Sequence, residues 1–454
     1  FPKFFHPDPS VKRQSGFLIP AFESSKNLGT TFRLPYYHVV SDNKDFTITP
    51  RFYAEERLSL QSEYRQVNLN SNHVLDFSST VEKKKPMKSH FFLRSNKKLD
   101  FSNFEESEVD IQLEQVTNDT YLKTYKLKSP IIKDYDTLNS SIKIQANKED
   151  LLLNLDFSVF EDLAKKDSDR FEYILPNYNL LKKFKPNEKL NGAFSFNSEG
   201  YIKNYDTNIS EKVVINDLYF NSNYKISDAG LRNGYNLLIK NVNSDSNNSL
   251  NYKDKLDQRL FSIVEYNSTF PLQKKSTHHN NIFKPMLSLR YSPNNSKDLR
   301  EDETRIDTNN IFSLNRLSNN DVVESGASMT YGAEFTKTNI EAIDIIDIKI
   351  ANIIRAKEEK NLPRGSSLGK KSSDIFGSLN YNPNQYVSTG YDFALKNNLK
   401  ENNYEIFKSQ LKINNFVTNF EYLNENNTKG KESFLSNKTA YTFNNTTNLS
   451  FETR

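Results

Sequence analysis

The 454-residue chain contains no cysteine and only 13 glycines. The absence of cysteine excludes a disulfide-stapled scaffold and a cysteine-bound zinc site within this sequence. The few glycines form no GxSxG, P-loop or other phosphate-binding cradle. The longest apolar runs, such as Leu151–Leu153 and Gly16–Phe22, are far shorter than the roughly 20 apolar residues that a transmembrane helix needs. A helical membrane protein is therefore excluded.

Charge and hydropathy give conflicting indications. The 61 basic and 57 acidic residues are mixed along the chain, so the net charge of +4 does not indicate a nucleic-acid-binding protein. A mean hydropathy of −0.73 with 26% charged residues resembles a disordered chain, but 33 phenylalanines and 24 tyrosines contradict disorder. Such a chain requires an architecture that buries only half of each segment.

Apolar and polar residues alternate along most of the chain, which predicts β-strands because successive strand side chains point to opposite faces. The alternation also runs through Thr439–Phe451, where we expect one continuous strand. The segment Ile340–Ile353 has isoleucines near helical spacing, but Ile346, Ile348 and Ile350 also alternate with polar residues, and β-branched residues favour a strand there. The clearest alternating segments are Phe46–Phe52, Leu58–Arg65, Val109–Leu113 and Ala327–Thr336.

Turn-rich stretches separate the alternating segments. The longer ones are charged and rich in Asn, Ser and Lys, so we expect solvated loops, whereas Asp42–Lys44 and Glu55–Arg57 suit tight turns. Long loops alternating with short turns are typical of an up-and-down barrel whose two rims differ. The predicted loops are Asn68–Asn72, Asn241–Asn251, Pro293–Asn310, Lys357–Ser373 and Asn424–Lys431.

The polar face of the strands indicates the fold class. Packing a second sheet on it would bury charges such as Asp110, Glu114 and Lys349, whereas a water-filled lumen keeps them hydrated while the apolar face meets lipid. We therefore predict an all-β protein, a large antiparallel transmembrane β-barrel with about 20 or more strands. The alternation alone leaves a soluble β-helix or an adhesin sandwich open.

No pattern indicates catalysis, a cofactor or a metal, so we predict no catalytic, cofactor-binding or metal-binding residue. No HExxH or comparable metal-ligand spacing is present. Lys83–Lys85 could bind anionic lipid, although a solvated turn explains it better. The histidines are dispersed, and we expect them in loops and at the rims: His6, His38, His73, His90, His278 and His279.

Pro20 and Pro35 interrupt two segments that otherwise alternate like strands, Gly16–Pro20 and Phe32–Tyr37. Proline has no backbone N–H and cannot donate to a β-ladder. In a soluble sheet the two prolines would protect an edge, and in a closed barrel they would make a weak seam. We predict weak pairing in the first strands.

Several of these segments resemble the barrel of the LPS-assembly family LptD. The resemblance is specific over Lys12–Arg65 and about Phe283–Phe335, and diffuse elsewhere. The segments that carry it are Arg13–Pro20 (RQSGFLIP), Leu34–Tyr37 (LPYY), Asp45–Arg51 (DFTITPR), Glu63–Arg65 (EYR), Lys284–Pro293 (KPMLSLRYSP), Asn310–Arg316 (NIFSLNR), Asn320–Asp321 and Met329–Gly332 (MTYG).

The resemblance implies an outer-membrane lipopolysaccharide translocon and not an enzyme. Family members have a barrel of about 26 strands, an LptE lipoprotein plug inside it, and a periplasmic jelly-roll domain that receives lipopolysaccharide from an LptA bridge. Lipid A leaves through a lateral gate between the first and last strands. The family's gate prolines correspond to Pro20 and Pro35, which the resemblance therefore implies are lateral-gate residues.

The resemblance also sets expectations for the ends of the chain and for the partners. We expect residues 1–454 to be one outer-membrane β-barrel domain, a fragment without the upstream jelly-roll domain and the final strands. The implied partners are lipopolysaccharide, LptE, LptA and membrane lipids, with no nucleic acid. Another outer-membrane barrel, such as a porin or receptor, and a soluble secreted adhesin remain alternatives. An adhesin would leave the membrane fraction under mild washing.

Overall fold

The computed structural model describes residues 13–454 except 27, 55–56, 296, 428–429 and 445–446. These residues form 27 β-strands in one sheet, one short helix and two 3₁₀ turns. No helix in the described part of the chain is long and apolar enough to span a bilayer. The all-β prediction is confirmed.

The bounds of the elements are as follows. The strands are β1 (Gly16–Phe17), β2 (Ala21–Ser25), β3 (Gly29–Arg33), β4 (Tyr36–Ser41), β5 (Lys44–Tyr53), β6 (Arg57–Asn68), β7 (Ser71–Glu82), β8 (Lys88–Leu99), β9 (Glu106–Val116), β10 (Thr137–Lys148), β11 (Leu151–Asp162), β12 (Phe171–Lys183), β13 (Gly192–Tyr205), β14 (Ile209–Ser222), β15 (Lys225–Ile226), β16 (Arg232–Asn247), β17 (Asp257–Thr269), β18 (Leu272–Lys275), β19 (His279–Ser292), β20 (Gly326–Asn339), β21 (Asp344–Arg355), β22 (Ile375–Asn384), β23 (Val387–Leu395), β24 (Asn402–Ile413), β25 (Phe416–Asn427), β26 (Gly430–Asn444) and β27 (Thr447–Thr453). The helix α1 is Tyr121–Tyr125, and the 3₁₀ turns are Asp167–Arg170 and Arg364–Ser366.

The chain divides into two compact units. The first comprises the residues up to Lys183 together with Phe196–Asn216 and Val242–Gln258, and the second comprises Phe184–Ser195, Asp217–Asn241 and Arg259–Arg454. In the first unit, each strand from β4 to β12 pairs antiparallel with the next. In the second unit, the same holds from β19 to β27.

The strands have one apolar and one polar face, and the apolar face is the exposed one. In β6, Leu58 and Leu60 expose 47% and 43% of their surface, whereas Ser59 and Gln61 expose 0% and 7%. Soluble proteins show the opposite arrangement. Exposed leucine and buried serine on one strand are expected of a barrel wall whose apolar side meets lipid. We name the two sides the apolar face and the polar face.

The polar face of each unit is covered in part by connections that fold back on it. In the first unit, residues 117–136, which include α1, contribute Tyr121, Leu122 and Leu127 to a buried cluster with Phe92 of β8. We name residues 117–136 internal segment A. Its only regular element, α1, is capped at its C-terminus by Lys126, which adopts a left-handed conformation with φ of 49°.

In the second unit, the β19–β20 connection folds back in the same way, and we name residues 297–325 internal segment B. Its Leu299, Ile306 and Ile311 pack in one buried cluster with Leu368 of the β21–β22 connection and Ile353 of β21. The sequence predicted solvated loops in both connections, at Pro293–Asn310 and Lys357–Ser373. Both stretches are irregular as predicted. The prediction that they are solvated is wrong, because their apolar residues are buried.

Three other predicted loops are largely strand. Asn241–Asn251 lies mostly in β16, which runs to Asn247, and within Asn68–Asn72 only Leu69 and Asn70 form a turn, between β6 and β7. Asn424–Lys431 consists mainly of the ends of β25 and β26. Asparagine favours turns through local side-chain hydrogen bonds, but these asparagines are held by cross-strand pairing, for example between Asn426 and Lys431.

The remaining strand predictions are mostly confirmed. The isoleucine-rich segment is strand from Asp344 onward, as β21. Asp42–Lys44 is a tight turn into β5, whereas the predicted turn at Glu55–Arg57 falls largely outside the described residues. The single strand expected over Thr439–Phe451 is wrong, since β26 ends at Asn444 and β27 pairs back on it.

Candidate functional site

Pro20 and Pro35 each lie in a break between two short strands. Pro20 separates β1 from β2, and Pro35 separates β3 from β4. The breaks are adjacent, because β1 pairs with β4 on one side of them and β2 pairs with β3 on the other. At the breaks, the Leu18 N–H donates to the Pro35 carbonyl over 2.8 Å. The predicted interruption of the first strands is therefore present, and both prolines lie at it.

Each proline removes a different donor from the sheet. In an antiparallel ladder the N–H and C=O of one residue point to the same neighbour. The Pro35 carbonyl faces Leu18, so the missing N–H of Pro35 would have faced Leu18 as well. Pro20 lies at an irregularity, because the register shifts by one residue between the β1–β4 and β2–β3 pairings, and it also lacks an N–H. Within the described part of the chain, the outer edge of β1 and β2 carries no paired strand.

Large apolar side chains are exposed around the break. Phe17, Ile19 and Phe22 expose 71%, 79% and 75% of their surface. Phe22 begins a row of aromatic rings on the apolar face, with its ring centroid 4.9 Å from that of Phe32, which lies 6.3 Å from that of Phe52. The weakly paired edge is thus also strongly apolar.

The polar face of the second unit holds a buried charge cluster around Glu324. Glu324 accepts from Arg316 of internal segment B over 2.6 and 2.7 Å and from Arg355 of β21 over 2.5 Å. Arg290 of β19 donates to the backbone carbonyls of Glu324 and Leu314. All four charged side chains are almost completely buried. One carboxylate and three guanidinium groups therefore attach segment B to the strands.

The pKa of Glu324 follows from this arrangement. Burial raises the pKa of the carboxyl, but the charges of Arg316, Arg290 and Arg355 outweigh burial and lower the pKa to about 2. A carboxylate whose pKa is lower in the folded state stabilises that state above its unfolded pKa, here 4.5, and the contribution is lost as the pH falls through about 2.

We expect the attachment of internal segment B to be insensitive to pH between about 8 and 5 and to weaken only below the unfolded pKa of Glu324. Hydrogen exchange of segment B across this range, quenched and read by mass spectrometry, measures the attachment. Weakening that begins near neutral pH would contradict this role of Glu324.

A second buried ion pair also attaches segment B. Lys240 of β16 lies 2.7 Å from an Asp217 carboxylate oxygen and donates to the Asn320 carbonyl over 2.7 Å. Both charged side chains are buried. Because Asn320 belongs to segment B, the ion pair attaches the C-terminal half of this segment to the strands. No pattern in the sequence indicates either cluster, since most of their members are far apart along the chain.

One polar network in the first unit has the composition of a hydrolase triad. The Ser78 hydroxyl lies 2.7 Å from His90 Nδ1, and His90 Nε2 lies 3.4 Å from an Asp76 carboxylate oxygen. All three residues are buried, and the Tyr121 hydroxyl caps Ser78 at 2.8 Å. A substrate cannot reach this serine, so the network serves to attach segment A. The prediction of loop and rim positions is wrong for His90, and His6 lies outside the described residues.

Neither unit shows a metal-binding cluster. No group of three or more His, Asp or Glu side chains among the described residues could hold a metal ion. The Lys83–Lys85 run follows the end of β7 in an exposed turn. A cavity of about 290 Å³ in the second unit is lined by charged and aromatic side chains, including Arg305, Tyr404 and Glu425. The cavity lies beside segment B and has no arrangement of catalytic groups.

Comparison with known proteins places the chain in a family. Residues 88–452 match the model of the LptD family, LPS transport system D. LPS-assembly protein LptD of Ralstonia nicotianae is 41% identical over 64 residues, 14% of this chain and 8% of the relative. LPS-assembly protein LptD of Pseudomonas fluorescens is 26% identical over 226 residues, 48% of this chain and 22% of the relative. The chain thus matches less than a quarter of these relatives' lengths.

Solved structures give a weaker comparison. The ferric citrate transporter FecA, in its unliganded form, is 8% identical, with 96% of this chain and 72% of that chain covered at a TM-score of 0.32. Pseudomonas aeruginosa OccK11 is 11% identical, with 93% and 94% covered at a TM-score of 0.26. These scores carry no argument about fold or function. The family match, the 27-stranded antiparallel sheet and its exposed apolar face agree: the chain belongs to the LptD family of outer-membrane β-barrel proteins.

Proposed function

We propose that the protein is an outer-membrane translocon that inserts lipopolysaccharide into the outer leaflet through a lateral gate beside Pro20 and Pro35. The match of residues 88–452 to the LPS transport system D family carries the proposal. The broken strands at one edge of the sheet support the gate. No arrangement of catalytic groups on the described residues suggests a competing reaction.

The energetics of the break favour opening at this edge. A backbone hydrogen bond contributes about 0.5–1.5 kcal/mol net, and Pro20 and Pro35 each remove one donor. β1 pairs with β4 over only Gly16 and Phe17, so few other hydrogen bonds hold the edge. Separating the edge therefore costs less than separating two long strands such as β6 and β7, which pair along their whole length.

The chemistry of the two faces suits an amphiphilic substrate. Phe17, Ile19 and Phe22 place apolar surface at the proposed gate, where acyl chains would pass into the lipid. The polar face carries serine, glutamine and charged side chains, which suit a saccharide. A lipid with a large polar headgroup could cross such an edge with each part in a matching environment.

The partners of the protein belong to the same proposal. We take residues 1–454 to form one barrel domain whose lumen accommodates the LptE lipoprotein. The LptA bridge would deliver lipopolysaccharide through a jelly-roll domain upstream of this sequence. The membrane lipids would contact the apolar face described above. No residue of this chain is assigned to LptE or LptA.

Replacing both Pro20 and Pro35 by valine is expected to lower lipopolysaccharide export about tenfold, because two restored donors would together favour the closed edge by about 1–3 kcal/mol. Surface lipopolysaccharide is measured in cells that depend on the variant, after confirming equal amounts of folded barrel. The matched control replaces Pro271 and Pro285 by valine.

The control removes a second proline pair at a strand break. Pro271 separates β17 from β18, and the Pro285 carbonyl accepts from Phe270 beside that break. Unchanged export in the Pro20 and Pro35 variant would overturn the gate. Unchanged surface lipopolysaccharide after depletion of the whole protein would overturn the translocon itself, in favour of a porin or receptor.

A further inference from the structure

A third proline lies in line with the first two. Pro50 is inside β5, which runs unbroken from Lys44 to Tyr53. The registers of β3 and β4 on β5 place Pro50 opposite Leu34, and the Leu34 N–H donates to the Pro50 carbonyl over 3.3 Å. Because the carbonyl of Pro50 faces Leu34, its missing N–H would have faced Leu34 as well.

Two successive ladders therefore lose a donor at the same level of the sheet. Pro50 weakens the ladder between β5 and the broken strand β3–β4, and Pro35 weakens the ladder between that strand and β1–β2. Pro20 removes a further donor at the break between β1 and β2. We name these three residues the proline line. An opening confined to the outer edge would not need Pro50.

The β2–β3 hairpin lies on one side of the proline line and is held together better than it is held to β5. β2 pairs with β3 over all five of its residues, from Ala21 to Ser25. Among the described residues, which leave out 55 and 56, β3 pairs with β5 over Thr31–Arg33, with flanking bonds from the Ala54 N–H to the Thr30 carbonyl and from the Leu34 N–H to the Pro50 carbonyl. The described ladder to β5 is thus the shorter of the two, and Pro50 removes a donor at its end.

We propose that Pro50 is a third positioning residue of the gate and that β2 and β3 swing away from β5 together as one flap. The proposal rests on the proposed function. The opening then includes the ladder between β3 and β5, and the β2–β3 pairing stays intact while lipopolysaccharide passes. The flap carries Phe22 and Phe32 with it, and so widens the apolar opening.

The first experiment restores the missing donor. Pro50→Val and Pro50→Ala are each expected to lower export about two- to tenfold, as one added backbone hydrogen bond predicts. Valine and alanine have different side chains, but both supply the backbone N–H that proline lacks. Equal effects of the two variants would therefore assign the loss of export to this N–H. Pro285→Val, which restores a donor opposite a strand break elsewhere, is expected to leave export unchanged.

The second experiment locks one ladder at a time, which the cysteine-free sequence permits. Phe32→Cys with Phe52→Cys links the hairpin to β5, and Ser24→Cys with Thr30→Cys links β2 to β3. Both pairs are Cα partners in the antiparallel ladders and within disulfide reach. The first lock is expected to block export until a reductant is added, and the second to leave export unchanged.

The outcomes separate the flap from the function on which it rests. If the Phe32–Phe52 lock leaves export unchanged while the Pro20 and Pro35 variant still impairs it, the flap is overturned and the gate remains at the outer edge. Export blocked by the Ser24–Thr30 lock would also overturn the flap, since the β2–β3 ladder would then be the one that opens. Normal surface lipopolysaccharide in cells that lack the protein would overturn the proposed function itself.

Discussion

Replacing Glu324 by glutamine is expected to release internal segment B from the polar face, with a cost of about 3–5 kcal/mol. The substitution leaves the guanidinium groups of Arg290, Arg316 and Arg355 buried without a counter-charge. A neutral amide can keep some of the hydrogen bonds but cannot balance the charge. The arginines would be stabilised by reaching water, which requires the segment to leave.

Limited trypsin digestion of the folded barrel measures the release. Arg300 and Arg305 are partly exposed sites within segment B, and cleavage there should accelerate strongly in Glu324→Gln. Glu324→Asp keeps the charge and should be much less affected. The matched control is Glu301→Gln, since Glu301 pairs with Arg364 at the exposed surface, where an ion pair contributes little. Equal cleavage of all three variants would contradict the anchoring role.

The strands could be predicted from the sequence because contact with lipid on one face requires apolar and polar residues to alternate. The apolar residues of β5, β6, β9 and β20 must share one face wherever that face meets acyl chains, so period two survives even in a polar chain. The loop prediction is wrong in several asparagine-rich stretches. The same Asn and Ser side chains that favour turns also occupy the polar face of a strand, as in the part of β16 that ends at Asn247.

The internal segments could not be predicted, because their burial depends on contacts between distant residues. Leu299 and Ile306 stand among charged neighbours in the sequence, and only the folded chain brings them to Ile353 and Leu368. The prediction also assumed that every charge on the polar face stays hydrated. That assumption is wrong at Glu324, where three arginines replace water.

The prolines of the proposed gate show which residues the sequence pattern alone can identify. Pro20 and Pro35 could be identified because each interrupts an alternating segment. Pro50 stands inside a segment that alternates without a break, so the alternation does not single it out. Its place beside Leu34 depends on strand register, although equal spacing of 15 residues between the three prolines was a signal in the sequence.

Replacing Tyr121 by alanine is expected to destabilise internal segment A by about 3–5 kcal/mol, because the ring is fully buried in the cluster around Phe92. Replacement by phenylalanine should cost only about 1 kcal/mol. Tyr121→Phe removes the hydroxyl that contacts Ser78 and Thr80, but Ser78 keeps its contact with His90. Thr80 likewise keeps its bond to Ser59, so neither hydroxyl is left without a partner.

Trypsin digestion distinguishes the two effects, since Lys123 lies exposed within α1 and is cleaved only when the helix opens. Cleavage should rise by roughly two orders of magnitude or more in Tyr121→Ala and by less than about tenfold in Tyr121→Phe. Tyr386→Ala, at an exposed tyrosine, serves as the control. Similar cleavage of the alanine and phenylalanine variants would mean that the hydroxyl network, and not the packing of the ring, holds segment A to the strands.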